Sequence, residues 1–550
     1  MSAPSPQRFR WLRRRQTGRA AAFVGRPISL LHYAFELIIW SRIVAGRLRW
    51  TPIELPLETL RGKGVHRPPP RLELRAHPDA EVFNEGFAEI HALLFANLNK
   101  PGALSRQRHA VPGPAFRGVY LWDSAFIAQI WKHWDPQVAA EVLGAVLELR
   151  AGQRLVHVVS HFMRSRYTQP PLIAWSFVEL GRTLAPAARR ELYERIYPPL
   201  RAYHQWLRGN RQLPNGLFFW AHPYESGVEN APRFSNRDES VLADTRRWGS
   251  PDFCTYVVLQ LEALAAMART LEKPAEARDF DVRADHLRER VNALLWDETD
   301  GLYYDLDTLT GKPVRSITIA SLLPLWAGIP GERQTQRLVE WIQRPDASAT
   351  LLPLPSVALC DPAFEPDMWR GPVWLNTAYG VLQGLLRAGY ETLAGEYAWH
   401  LCRGVYGVFN TERRVYEFYD PLALHTASLE RKRGNRWKAF TLGTGPQRDF
   451  VGWTGLVNTL VIEVLCGWTR EDDEDRLRPR LPPPTRDSTW HLQLAEDHHL
   501  TLHHAPDDTF SGELCRGGER QPFRLQRGEE ASFPLTGSSP AEPAPLPSLR

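Results

Sequence analysis

Cysteine is scarce. Five occur in 550 residues (Cys254, Cys360, Cys402, Cys466 and Cys515), and none forms a CxxC pair. An odd, widely spaced set excludes a disulfide framework. Thiols set in apolar runs are ordinarily buried and free, and a reducing, cytoplasmic setting fits them. A clean membrane-spanning run is also missing. Residues 28–45 come nearest, but His32, Glu36 and Arg42 interrupt them, which makes a poor span. A basic stretch precedes this segment, as in a signal peptide, yet Arg47, Arg49 and Trp50 stand where a small-residue cleavage site would be. An amphipathic helix docked on the main domain is expected there, with peripheral membrane contact through residues 8–45 as the alternative. Acid is absent from residues 1–35, which hold seven arginines, so the remaining body carries a net charge of −2 although the whole chain has +5. A nucleic-acid binder keeps its positive charge on the folded body, so that class is set aside. No internal period repeats, which argues against an α-solenoid.

Aromatic residues are abundant. The chain has 20 tryptophans and is 11% aromatic, more than core packing demands, and carbohydrate binding is one use for the surplus. Apolar residues recur at helical spacing from residue 80 onward. Helices are expected over residues 80–97, 123–134, 136–150, 172–180, 187–207 (broken near Pro198-Pro199), 252–271, 275–296, 317–326, 333–342, 372–388, 393–405 and 453–466. Short connections alternate with long aromatic ones at 98–121, 208–251, 344–370 and 407–451. Twelve helices joined in this way suit six helical hairpins in a ring, with the long loops at one end free to build a site. The expected organisation is all-α: an (α/α)6 toroid at 79–470, after a basic N-terminal extension with a helix (1–78). A proline-rich linker (471–487), a small β appendage (488–535) and a disordered tail (536–550) follow it.

The stretch at residues 222–234, HPYESGVENAPRF, sets Glu225 and Glu229 among prolines, Gly227 and aromatic rings. Flat apolar faces beside carboxyls suit sugar C–H groups and proton transfer. Four more stretches combine aromatic and polar residues where a long loop meets a helix: YLWDS (120–124), YTQPP (167–171), MWRGPVWLN (368–376) and YEFYDP (416–421). Each has a plain structural explanation when taken singly, and their recurrence at one kind of position is what argues for a site. His157 and His161 have metal-like spacing but lack an HExxH, so they are expected to line the pocket. His498, His499, His503 and His504 alternate along a strand and are expected to face two ways. No metal or cofactor is expected.

Taken in order, WDS, TQPP, ESGxE-NAPRF, WRGPVWLN, YEFYDP and Gly452-Trp453-Thr454 resemble glycoside hydrolase family 63 and its mannosylglycerate-hydrolase-like relatives over residues 85–468, with trehalase a more distant cousin. The resemblance implies hydrolysis of a small α-glucoside or α-mannoside, glucosyl- or mannosyl-glycerate included, with inversion. It puts the general acid on Glu229 and the general base on Glu417. It also places Trp122, Asp123, Gln169, Trp369, Arg370, Trp374 and Asn376 in the sugar subsite. His222, Arg233 and Tyr416 are added as ligands from their neighbouring positions, with Glu225 either a sugar-hydroxyl ligand or a support behind the site, and Arg233 and Arg370 would suit an anionic aglycone. The family pattern has aspartate where Glu229 stands, so one extra methylene must be accommodated. The expected partner is a small carbohydrate. A trehalase-like or oligosaccharide α-glucosidase, a sugar-binding pseudoenzyme and a sugar epimerase remain as alternatives. The oligomeric state is open.

Overall fold

The computed structural model describes residues 63–161, 163–235, 243–432, 442–471 and 474–534. The arginine-rich segment, the helix expected at 28–45 and the tail expected from 536 lie outside them. The helices run, in order, α1 (Ala80–Ala96), α2 (Leu121–Trp131), α3 (Pro136–Glu148), α4 (Ile173–Gly181), α5 (Pro186–Arg211), α6 (Pro251–Thr270) and α7 (Pro274–Leu295). After the short turns Ile319–Ser321 and Leu323–Leu325 come α8 (Glu332–Gln343), α9 (Leu375–Arg387), α10 (Glu391–Glu412) and α11 (Leu456–Thr459), which runs on into the wider turn Leu460–Leu465. The inner elements α2, α4, α6, the short turns, α9 and α11 each pack on the next, and α11 returns to α2, closing a ring. The other helices lie outside it. This is the (α/α)6 toroid expected from the alternating loop lengths.

Position in the ring explains local composition. Every residue of α2 is buried, because an inner helix touches both its ring neighbours and the outer layer, and such a helix has no polar face. Its polar side chains bond within the ring: Gln129 Nε2 donates to Ser176 Oγ at 2.6 Å, and Ser176 Oγ donates to the Ala125 carbonyl at 2.8 Å. Two expectations need correcting. The break at Pro198-Pro199 does not occur, since α5 runs through both prolines. An interior proline costs about 3 kcal/mol or more, but α5 buries Leu192, Tyr193, Ile196, Tyr197, Leu200 and Tyr203 on one face, at about 1.5–3 kcal/mol for a large apolar side chain. Conversely, the α-helix expected over 317–326 is only two 3-10 turns. Pro324 removes a donor there and crowds the carbonyl four residues back.

Five antiparallel strands form the main C-terminal sheet in the order β1 (Arg71–Arg75), β4 (Ser488–Ala495), β5 (His498–His504), β6 (Phe510–Arg516), β7 (Glu519–Leu525). A second sheet has the order β2 (Trp468–Glu471), β3 (Glu474–Leu477), β8 (Ala531–Pro534). The expected boundaries shift accordingly. Residues 71–75, assigned to the N-terminal extension, belong to the C-terminal sheet. The expected linker is no free spacer either: it contains β3, and Arg478 and Arg480 both reach Glu391 at the start of α10, at 2.9 and 3.2 Å. The β-strand histidines find separate partners, with His498 on Asp475 and His504 on Thr485 and Asp508. Trp490 of β4 joins sheet to toroid, edge-on to Phe83 at 5.8 Å and to Trp399 at 6.2 Å, while those two rings stack at 4.6 Å. Trp490→Ala is therefore expected to lower unfolding stability by about 3–5 kcal/mol, measured by denaturant titration. A loss under about 1 kcal/mol would show that the sheet is not anchored through this ring.

Candidate active site

The inner helices begin at one mouth of the ring, and the singled-out motifs gather there. Trp122 at the start of α2 lies 6.1 Å from Trp369 and 5.6 Å from Trp453, ring centre to ring centre. Trp369 stacks on Trp374 at 3.7 Å and 9°, and Trp374 in turn stacks on Phe418 at 4.7 Å. Four indoles from three distant stretches thus form one aromatic wall. Offset and edge contacts of this kind are worth about 0.5–1.5 kcal/mol each beyond burial. Gln169 closes against it. With its amide oriented to satisfy both ends, its oxygen accepts from Trp122 Nε1 at 3.2 Å and from His157 Nε2 at 3.0 Å.

The segment expected to be an ordered loop carries a single helical turn, Pro223–Ser226, capped by His222, whose Nδ1 accepts the Tyr224 N–H at 3.1 Å. His222 is buried and stacks on Tyr167 at 5.1 Å. The turn ends at Gly227 with φ +75°, where a Cβ would stand 2.4 Å from the Trp122 ring. Only glycine permits both the backbone and that approach. Glu225 is fully buried with both oxygens engaged: Arg211 grips them at 2.9 and 2.7 Å, and the N–H groups of Ala221 and Thr168 add 2.9 and 3.3 Å contacts. It braces the turn from behind and is not presented to a sugar. Asn230 ties this segment to the WRG stretch, accepting from Trp369 N–H at 3.1 Å while its carbonyl accepts from Arg370 at 3.2 Å.

Glu229 and Glu417 are each met by a cation, and the two cations are consecutive in sequence. Lys432 Nζ lies 3.1 Å from Glu229 Oε1, and Arg431 pairs with Glu417 Oε2. Glu417 also accepts the Gln447 N–H at 3.3 Å, and its carbonyl takes Trp453 Nε1 at 2.8 Å. Both cations are buried, Arg431 and Lys432 having 3% exposure each. Asp123 is buried beside them without such a partner among the described residues, and burial, with Glu229 adding repulsion, pushes its pKa up to about 8. Asn376 is buried, and neither of its amide atoms is hydrogen-bonded among the described residues, the condition in which a ligand hydroxyl would be taken up.

Other expected ligands sit elsewhere. Arg233 is buried between Asp252 and Asp305, bonding to them at 3.2 and 3.0 Å. Burial opposes its charge, but the two carboxylates outweigh it and raise its pKa, so Arg233 orders the loop and cannot receive an aglycone. Arg370 is held by Asn230 and by Glu365 at 3.4 Å. Tyr416 turns its hydroxyl away, onto Glu412 at 2.8 Å. The sequence reading passed over Arg211, Asn230, Arg431 and Lys432. The last two open a basic run, RKRGNRWK, that carries no motif. A cavity of about 240 Å³ is at the opposite mouth, where Lys132, Arg182, Glu463 and Asp475 pair among themselves or with close neighbours. It lacks a facing carboxylate pair.

Asp123 makes stability depend on pH. Its folded pKa of about 8 lies above the ordinary 3.8, so the fold binds a proton that the unfolded chain releases, and stability falls as pH rises from about 4 to about 8. Asp123→Asn should flatten that decline, by at most about 1.4 kcal/mol per pH unit, in denaturant titrations at pH 5 and 8. Parallel pH curves for the two proteins would remove the assignment.

At 28% identity over 402 residues, 59% of this chain and 92% of the other, the chain is similar to the mannosylglycerate hydrolase of Thermus thermophilus; for that of Rubrobacter radiotolerans the identity is 24% over 439 residues, 64% and 92% of the two chains. A periplasmic trehalase of Escherichia coli matches at 22% over 442 residues, 70% and 74%. Among solved structures, a GH63 mannosylglycerate hydrolase of Thermus thermophilus in complex with glucose superimposes with a TM-score of 0.56 at 25% identity, covering 68% of this chain and 99% of that one. Residues 117–428 match the model of the mannosylglycerate hydrolase MGH1-like glycoside hydrolase domain, a span that holds the toroid's site loops from WDS to YEFYDP, and the chain belongs to this glycoside hydrolase family.

Proposed function

We propose that the protein hydrolyses a small α-glycoside with inversion, Glu229 serving as proton donor and Glu417 as base. The observation that carries this reading is the placement of the two carboxylates on separate loops at one mouth of the ring, each beside a buried cation. Arg431 and the Gln447 N–H favour the ionised form of Glu417, the form a base needs. Glu417 takes a proton from a water as that oxygen attacks the anomeric carbon. Glu229 protonates the departing glycosidic oxygen from the opposite face. Such carboxyls stand roughly 6.5–9.5 Å apart to admit the water. The indoles supply a flat apolar face, and Asn376 and Gln169 supply polar edges for hydroxyls.

The contact with Lys432 at 3.1 Å supports accommodation of the extra methylene at Glu229, because it holds the carboxylate in place. A misplacement of about 1 Å can otherwise cost on the order of 100-fold. The substrate class follows the relatives: a mannosyl- or glucosyl-glycerate is favoured over trehalose. Glu229→Gln and Glu417→Gln should each reduce turnover of α-mannosylglycerate by about 1000-fold or more in protein that is still folded by circular dichroism at the assay temperature. Proton NMR of the fresh product should show the β-sugar first. Initial release of the α-sugar would exclude inversion, and sugar binding without turnover in the wild type would favour a binding protein.

A further inference from the structure

The backbone that leads from Glu225 to Glu229 is bonded or packed at each step. The Glu225 N–H donates to the His222 carbonyl at 2.9 Å, and the Ala231 N–H to the Val228 carbonyl at 3.0 Å. Ser226 Oγ donates to the Pro223 carbonyl at 2.6 Å and accepts the Val228 N–H at 3.1 Å. Gly227, between them, is seated against the Trp122 ring. A segment tied in this way moves as a unit, so the place of Glu229 depends on whatever anchors the turn.

The charged anchor is Glu225. Arg211, the last residue of α5, grips both its oxygens at 2.9 and 2.7 Å. Arg211 is itself fixed, donating to the Asn210 carbonyl at 2.8 Å and lying 4.9 Å from the centre of the Trp206 ring. The Thr168 N–H reaches the same carboxylate at 3.3 Å, and Gln169 beside it meets Trp122 Nε1. One buried carboxylate therefore joins α5, the TQPP loop and the turn that carries the acid. Stability does not require charge there, since apolar replacement of a buried ion pair is often neutral or stabilising. A forked arginine–carboxylate contact adds fixed geometry instead. Glu225 is 0% exposed, so position is what the pair supplies.

We propose that Glu225, held by Arg211, is a positioning residue for the acid step and keeps Glu229 in line with the glycosidic oxygen. It touches no reacting atom. A displacement of about 1 Å passed along the turn can cost on the order of 100-fold. That loss falls on one event, delivery of the proton to the departing oxygen as the C–O bond breaks. Attack of water assisted by Glu417, which stands on a separate loop, is spared. The inference rests on Glu229 being the donor, and it adds what holds that donor in register.

Comparing α-mannosylglycerate with α-mannosyl fluoride separates acid alignment from other effects, because fluoride departs as the anion and takes no proton from the enzyme. Both carry the same sugar, and the ratio of their kcat/KM values on one preparation of the full chain cancels any loss of folded protein. Glu229→Gln sets the scale, slowing the glycerate glycoside about 1000-fold or more and the fluoride far less. Glu225→Gln keeps the shape but loosens the grip of Arg211. It should slow the glycerate glycoside about 10- to 100-fold, mostly in kcat, and the fluoride by less than about threefold. Arg211→Lys, whose ammonium cannot match the fork, should move the ratio the same way by a smaller factor, and it decides the matter should Glu225→Gln not fold. Equal slowing of both substrates by Glu225→Gln, or slowing of neither, would overturn the positioning role while Glu229→Gln still told the two leaving groups apart. If Glu229→Gln slows both alike, the donor assignment fails and the positioning role with it. A wild type that hydrolyses neither substrate refutes both.

Discussion

A carboxylate withdrawn from water must find a cation, find several hydrogen-bond donors, or keep its proton. The open mouth of this toroid is organised by that constraint. Glu225 takes Arg211 and two backbone N–H groups, Glu417 takes Arg431, and Glu229 takes Lys432. Asp252 and Asp305 share Arg233. Asp123 has no such partner among the described residues, and its pKa rises instead. Removing one member of a buried pair typically costs about 3–5 kcal/mol, so these pairings fix the loops as firmly as apolar packing fixes the helices. They also divide the acids by task. A carboxylate with four donors on its oxygens has nothing left for a substrate, whereas Glu229 is the more exposed member of its ion pair, with 17% of its side chain open.

The aromatic wall depends on the ring in a different way. Trp122, Trp369, Trp374 and Trp453 come from the starts of α2, α9 and α11, some 330 residues apart in the chain, and closure of the inner ring alone makes them neighbours. The contacts between inner helices are small-residue and polar ones, such as Ser176 on the Ala125 carbonyl, because inner helices must approach closely. The helix starts also point the positive ends of their dipoles toward the mouth, which suits a site that holds ionised carboxylates. At the other mouth the helix ends meet the C-terminal sheets, and Lys132, which follows the last residue of α2, pairs there with Glu463.

Much of this was legible before the fold was known, and the misses have definite causes. Helical periodicity located the ring because each helix buries one face or all of itself over several turns. Pro198-Pro199 misled because proline's local cost is visible in sequence, while the offsetting burial of Tyr193, Tyr197 and Tyr203 is not. Residues 71–75 were missed because their pairing partners lie more than 400 residues away. Arg233 and Tyr416 sit inside the right motifs, but a motif records only neighbourhood along the chain. Whether a side chain faces the cavity or the packed loop behind it depends on partners such as Asp305 and Glu412.

What the amino-acid sequence determined by itself was the class of fold, the family and the two candidate carboxylates, since periodicity, loop alternation and ordered motifs are properties of the chain. What only tertiary structure decided was which charges meet. Arg431 and Lys432 belong to a basic stretch with no motif, and Lys432 lies 203 residues from Glu229. Coulombic pairing falls off over a few ångströms in space and is indifferent to separation along the chain. The cations that face the two proposed catalytic carboxylates could therefore be found only after folding had brought them together.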